Sequence, residues 1–120
     1  MAGLSFGAIK GMGKLIAQVE GIVKLDKVQS LHAGAEQILP YMQSVTPVDT
    51  GELRDSEEIV DGQDDVQLVA SADHASYVEF GTYKMSAQPY MRPAIEAKQG
   101  DALRAIARDV EGQIRRIISG

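Results

Sequence analysis

The chain has 120 residues, 44% of them apolar and 24% charged, with a net charge of −5 and no cysteine. This length and composition fit one globular domain, residues 1–120, and the missing cysteines exclude disulfides and thiolate metal sites. No apolar run approaches the ~20 residues needed to span a bilayer, and the N-terminus is too weakly apolar for a signal peptide, so a soluble protein made in the cytosol is expected.

Ser5 to Lys10 reads as a short first strand, punctuated by Gly11 and Gly13. The Gly-rich start resembles a phosphate loop only superficially, because Met12 stands where that motif needs glycine and Leu15 where it needs Ser or Thr. Leu15, Ile16, Val19, Ile22 and Val23 then recur at helical spacing. A second helical set follows: Val28, Leu31, Ala35, Ile38, Leu39 and Met42, with Asp26 and Ser30 as candidate caps. The phase slips between the sets, which predicts either two helices with a short joint or one long bent helix. Pro40 should kink the second set or end it a turn early, and Pro47 ends it by forcing Thr46 to be extended.

Glu57–Val60 and Val66–Ser71 pattern as strands joined through a turn that begins at Asp61-Gly62. The acidic DGQDD of that turn lacks the spacing and closing Glu of a calcium loop. Pro93 to Ser119 is the clearest helix, with Leu103, Ile106, Ala107, Val110, Ile114, Ile117 and Ile118 on one stripe. Pro93 suits its first turn, and Gly100 is a candidate bend with Asp101 capping a fresh start. The expected fold is therefore α+β, a small antiparallel sheet packed against two or three helices including a long C-terminal one.

Charge is uneven along these elements. Residues 49–73 hold nine acids against Arg54 alone, while the chain before them carries +1 and the chain after them +2. The acidic middle is a solvated surface, a face for a basic partner, or a surface that repels DNA. No basic cluster with interleaved aromatics marks a nucleic-acid grip.

Asp49-Thr50-Gly51 is the tripeptide of aspartic proteases, whose dimeric members are about this size. Such an enzyme presents its carboxylate on a loop between buried strands. Here Ser44-Val45-Thr46-Pro47-Val48 precedes the tripeptide and Glu52-Leu53-Arg54 follows it. A capping box between Asp49 and Glu52, with Gly51 permitting the turn and Leu53 as its apolar plug, accounts for these residues better. The two histidines, His32 and His74, have no third ligand at metal spacing, and no serine has a nucleophile elbow. No catalytic, cofactor or metal site is expected.

The corner continues as Pro-Val-Asp-Thr-Gly-x-Leu-Arg-x-Ser, followed by the alternating strand, by Tyr-Val-Glu-Phe-Gly-Thr and by Gln-Pro-Tyr-Met-Arg-Pro-Ala. Three such pieces in this order resemble the tail-component family of tailed bacteriophages, the head–tail joining or tail-completion proteins of long-tailed phages and prophages. The matching residues are Pro47, Thr50, Gly51, Leu53, Arg54 and Ser56, then Tyr77, Val78, Glu79, Phe80, Gly81 and Thr82, then Gln88, Pro89, Arg92, Pro93 and Ala94. Glu57-Glu58 departs from the family, whose strand entry is uncharged.

The resemblance implies a structural virion protein of the neck or head-proximal tail end that acts by assembly. Its implied partners are copies of itself in a ring, hexameric or larger, and neighbouring neck, connector and tail proteins. DNA passes through such a ring without being bound specifically. A tail terminator at the same junction is the alternative role, and a dimeric protease using Asp49 the alternative of another class. Within the motif, Tyr77, Val78 and Phe80 are expected to anchor a short helical segment to the core, with Gly81-Thr82 ending it. Tyr83 to Met91 is either an arm that reaches a neighbour or an ordered connection within one subunit. Asp49→Ala separates the readings: it abolishes a protease, but costs a capped corner only about 0.5–2 kcal/mol in a denaturant melt.

Overall fold

The computed structural model describes residues 4–6, 24–48 and 50–119, the first three as backbone. In chain order the elements are β1 (Leu4–Phe6), α1 (Lys27–Val45), α2 (Glu52–Asp55), β2 (Glu57–Asp61), β3 (Val66–Ala70), α3 (Ala75–Phe80) and α4 (Met91–Ser119). The helical pattern from Leu15 to Val23, Gly7 to Lys10 of the expected first strand, and Asp49 lie outside the described residues.

The phase slip before α1 is a true break. Asp26 is extended (φ −90°, ψ 93°), and its side chain accepts from the Gln29 amide at 3.1 Å as an N-cap. That excludes one continuous bent helix through this point. Ser30, the other candidate cap, instead sits inside α1 and is fully buried. α1 also runs through Pro40 to Val45 rather than stopping early. Pro40 removes only the bond to the Glu36 carbonyl, and both residues are exposed, so water can serve that carbonyl. The helix ends where Pro47 dictates, with Thr46 extended at ψ 129°.

β2 and β3 form a hairpin in the register Glu57↔Ala70, Ile59↔Leu68 and Asp61↔Val66, and the Gly62 amide closes the turn onto the Asp65 carbonyl at 2.8 Å. β1 pairs antiparallel on the other side of β3, giving the order β1-β3-β2. Val66, Leu68 and Ala70 are buried on one face, as their alternation predicts.

α1 packs on β2 and β3 and lies antiparallel along α4: Asp26 meets Gln113, Gly34 meets Ile106 and Tyr41 meets Lys98. The core gathers Leu31, Ile38 and Met42 of α1, the inward side chains of β3, Tyr90, and Ala94, Ala102 and Ile106 of α4. The α4 stripe differs from the expected one. Its buried positions are Met91, Ala94, Ala102, Ala105, Ile106 and Gln113; Ala107 is exposed, and so are Ile117 and Ile118 near the end. Ile106 packs against Gly34 of α1 with Ala102 beside it, while Ile117 and Ile118 lie past the N-terminus of α1. Nor does Gly100 interrupt the helix. Asp101 bonds Lys98 and Arg104 on the surface instead of capping a new start.

Gly34 shows how close that approach is. A Cβ there would lie 2.7 Å from Cδ1 and Cγ1 of Ile106 and 3.2 Å from the Ala102 carbonyl oxygen. Gly34→Ala should therefore destabilise the protein by about 1–2 kcal/mol in a denaturant melt, because overpacking outweighs the ~1 kcal/mol of helix propensity gained. A more stable Gly34→Ala protein would mean that the two helices can separate freely.

Candidate functional site

The first motif block is a turn between α1 and the sheet. Gly51 is the N-cap of α2 with φ +86°, a left-handed conformation that suits glycine. The Glu52 amide reaches the Thr50 hydroxyl at 3.3 Å; the expected Asp49–Glu52 capping box turns on Asp49, which lies outside the described residues. Leu53 is buried and plugs the turn as expected. Ser56 closes it, its hydroxyl donating to the Leu53 carbonyl at 2.7 Å. Arg54 is exposed and pairs with Asp55 at 3.5 Å. The segment enters from a helix and leaves into a four-residue helix, which is not the strand-flanked loop that an aspartic protease requires.

The second block is organised by a carboxylate. Glu79 is 5% exposed and accepts from the backbone amides of Tyr90 at 2.9 Å, Met91 at 2.8 Å and Arg92 at 3.2 Å. Met91 and Arg92 open α4 and Tyr90 immediately precedes it, so these N–H groups have no partner within the helix. A negative charge at this end also meets the positive end of the helix dipole. Tyr90, fully buried, donates its hydroxyl to the Ala75 carbonyl at 3.2 Å. Burial and the charges of Glu57 and Glu79 push the Tyr90 phenol well above its ordinary range.

Between these anchors the chain folds back on itself. Gly81 ends α3 at φ +77°, and a Cβ on it would lie 2.8 Å from the Ala87 nitrogen and 2.9 Å from the Met85 carbonyl oxygen. Thr82 and Met85 exchange backbone hydrogen bonds of 2.9 and 3.2 Å, leaving Tyr83 and Lys84 at the tip. The Gln88 amide then donates to the Val78 carbonyl at 2.8 Å. From Gln88 to Met91 the segment is thus tied back to its own subunit, while residues 82–89 are exposed and Tyr83 at the tip is 93% exposed.

The two blocks meet. Pro47, Val48, Thr50, Gly51 and Leu53 face Val78, Met85 and Gln88 across an open groove of about 500 Å³. Tyr77, Phe80, Pro89, Arg92 and Pro93 lie outside the groove lining, as do Arg54 and Ser56. Tyr77 and Phe80 were expected to anchor α3, yet they are 56% and 59% exposed. The buried positions of α3 are Ala75 and Glu79, because the carboxylate must face the amides and the aromatics on either side of it turn outward. Among the described residues no group of His, Cys, Asp or Glu side chains is arranged to hold a metal.

Two buried polar clusters were missed in the sequence. Gln113 pairs with the Asp26 backbone, accepting from its amide at 2.8 Å and donating to its carbonyl at 2.9 Å. Beside it Asp109 accepts from Ser30 at 2.7 Å and Gln29 at 2.9 Å. Burial pushes the Asp109 carboxyl up, but donors from Gln29, Ser30 and Gln113 and the charge of Arg116 outweigh it and hold it below its ordinary value. The second cluster is Glu57 with Thr46. Its signal was present: Glu57 shares strand parity with Ile59, so a charge stands at an inward position.

Glu79→Ala strips acceptors from three amides and should cost about 2–4 kcal/mol in a denaturant melt, with amide exchange rising first in residues 88–95. Uniform loss of protection across the chain, or a loss below 1 kcal/mol, would remove Glu79 as the anchor of α4.

A family model described as "Bacteriophage HK97-gp10, putative tail-component" matches residues 9–81, about three-fifths of the chain. The match takes in the corner, the hairpin and Tyr77 to Gly81, and stops before Gln88. No curated protein and no solved structure matches the chain. The matched span, together with a corner and a glycine-terminated α3 that meet around one groove, makes this chain a member of the HK97-gp10-like phage tail-component family.

Proposed function

We propose that this protein is a head–tail joining or tail-completion subunit, which acts by assembling into a ring at the neck or head-proximal end of a phage tail. Membership of the tail-component family supports a structural role in the virion. The observation that carries the finer reading is the surface around the groove. Val48, Tyr77, Phe80, Tyr83 and Met85 are 57%, 56%, 59%, 93% and 44% exposed, and all belong to the corner or to the segment that folds against it. Large apolar and aromatic side chains exposed along two segments that meet support a contact surface there, and aromatics carry much of the energy of such contacts.

Ring closure needs a contact between two different patches of neighbouring copies. The acidic residues 49–73 and the mildly basic remainder of the chain after them give those patches opposite charge, which favours head-to-tail docking. A hexamer or larger ring with neck, connector and tail proteins on its two sides is the assembly this implies. DNA would pass its lumen unbound, kept off by acidic surface. Catalysis has no part in this reading, and no described helix is long and apolar enough to cross a membrane.

Two measurements test it. Deleting the reading frame from its parent phage should leave DNA-filled heads apart from tails in electron micrographs of the lysate. Tails of unregulated length would assign the terminator role instead, and normal infectious particles would sink both. In the purified protein, Phe80→Ser and Tyr83→Ser should leave the melting curve unchanged, since both side chains are exposed. By light scattering they should raise the concentration needed for assembly at least ~10-fold, as loss of an aromatic anchor does. Unaltered assembly would move the contact to another face.

A further inference from the structure

Glu57 is the first residue of β2, and Thr46 is the last before Pro47. Their side chains meet at the base of the corner, with Glu57 Oε2 2.5 Å from Thr46 Oγ1. The same hydroxyl oxygen lies 2.6 Å from the Met42 carbonyl oxygen. Three oxygens in a row with two short contacts need two protons between them, and threonine supplies one. If Thr46 donates to Met42, the contact with Glu57 holds only when the carboxyl donates to Thr46. An ionised Glu57 would leave one contact as lone pair against lone pair. The other carboxylate oxygen, Oε1, is buried without any hydrogen-bond partner among the described residues, and Glu57 as a whole is 5% exposed. A buried charge with an unpaired oxygen is costly.

The surrounding groups favour the same state. On α2, Arg54 is the one cation among the described residues whose charge acts on Glu57, but its guanidinium is part-exposed and engages Asp55. The charge of Glu57 acts on the Tyr90 phenol, from the chain before α4, and so does that of Glu79 of α3. β2 itself adds Glu58 and Asp61, the latter held by His32 of α1 at 2.7 Å. Across the sheet Ala70 faces Glu57 and carries no charge.

We propose that Glu57 is a proton-controlled latch on the Pro47–Ser56 corner, closed while its carboxyl carries the proton and opened when the proton leaves. The latch pinches the two ends of the segment that forms one wall of the groove, so its state sets whether that wall is ordered. It adds a control to the surface assigned to assembly, but it is a property of the single chain and stands whether or not a ring forms.

Burial pushes the Glu57 carboxyl up to about 7, against the Thr46 bond and the charge of Arg54, from an ordinary 4.5. The folded corner therefore holds the proton more tightly than the open one. Closing takes up a proton between those pH values, and the closed state weakens as pH rises from about 4.5 through about 7. Across that window the closing equilibrium should fall on the order of 100-fold.

Hydrogen exchange on the full chain at pH 5 and pH 8.5, corrected for intrinsic rates, reads this directly. Amides of residues 46–57 should lose protection by that factor while those of the α1–α4 pair hold theirs. Glu57→Gln keeps a donor for Thr46 and carries no titratable group, so its corner should be protected equally at both pH values. A Glu57→Gln profile that follows the unmodified protein, or loss spread evenly over both helices, overturns the latch. Should the variant fail to fold, a ¹³C titration of the Glu57 carboxyl in the unmodified chain decides: a midpoint near 7 is expected, and one near 4.5 overturns it. Light scattering on the same samples separates this from the assembly reading, since a working latch in a monomer would overturn only the ring.

Discussion

The three hydrogen bonds from the start of α4 to the Glu79 carboxylate tie the second half of the molecule together. A 29-residue helix ends its first turn with free amides, and burying that end is costly unless something accepts from them. Glu79 supplies both the acceptors and the negative charge from a six-residue helix eleven or more positions away. That single requirement orients α3, places Tyr90 in the core and forces the chain between them to reverse. Gly81 allows the reversal because its φ is positive and because backbone packs where a Cβ would stand. The projecting tip with Tyr83 follows from the shortness of the return path.

The pairing of α1 with α4 rests on different physics at its two ends. Around Gly34, Ala102 and Ala105 the helices approach closely through small side chains, and dispersion and apolar burial hold them. At the end near Asp26 the contact is polar and specific: Gln113 reads one peptide group, and Asp109 collects donors from Gln29 and Ser30. A small-residue seam tolerates sliding by a turn, and a buried network with fixed partners does not. The network therefore sets the register in which the seam packs, and with it the position of the Met91 end beneath Glu79.

The motif residues divide into two physical classes. Gly51, Leu53, Glu79 and Gly81 build the scaffold: a left-handed cap, a plug, an anchor and a reversal. Tyr77, Phe80, Pro89 and Arg92 are set on the outside by that scaffold. Scaffold and surface alternate along α3 because a short helix that turns one carboxylate inward must turn its neighbours out. Glu57 belongs to neither class. It departs from the strand entry expected of the family, and it stands at the one place where a proton decides whether the corner is held.

Much was written in local sequence. The cap at Asp26, the end of α1 at Thr46-Pro47, the hairpin register through Val66, Leu68 and Ala70, and the extent of α4 all follow from capping, proline geometry and two-residue alternation, which act over a few neighbours. The family resemblance likewise rested on contiguous blocks. What local pattern could not carry was direction. Ile117 and Ile118 fit an apolar stripe by spacing, but α4 has passed the start of α1 by then and they face out. Tyr77 and Phe80 have the composition of core residues, yet the partner of Glu79 lies eleven residues ahead, and its position turned them to the surface. Glu57 with Thr46, and Gln113 with Asp26, are long-range polar pairs whose members look like surface residues one at a time. The sequence by itself determined which segments are helix or strand and where they stop, because those choices are made by neighbours. Only the tertiary structure decided which polar groups lose water together, because that depends on what distant segment arrives to cover them.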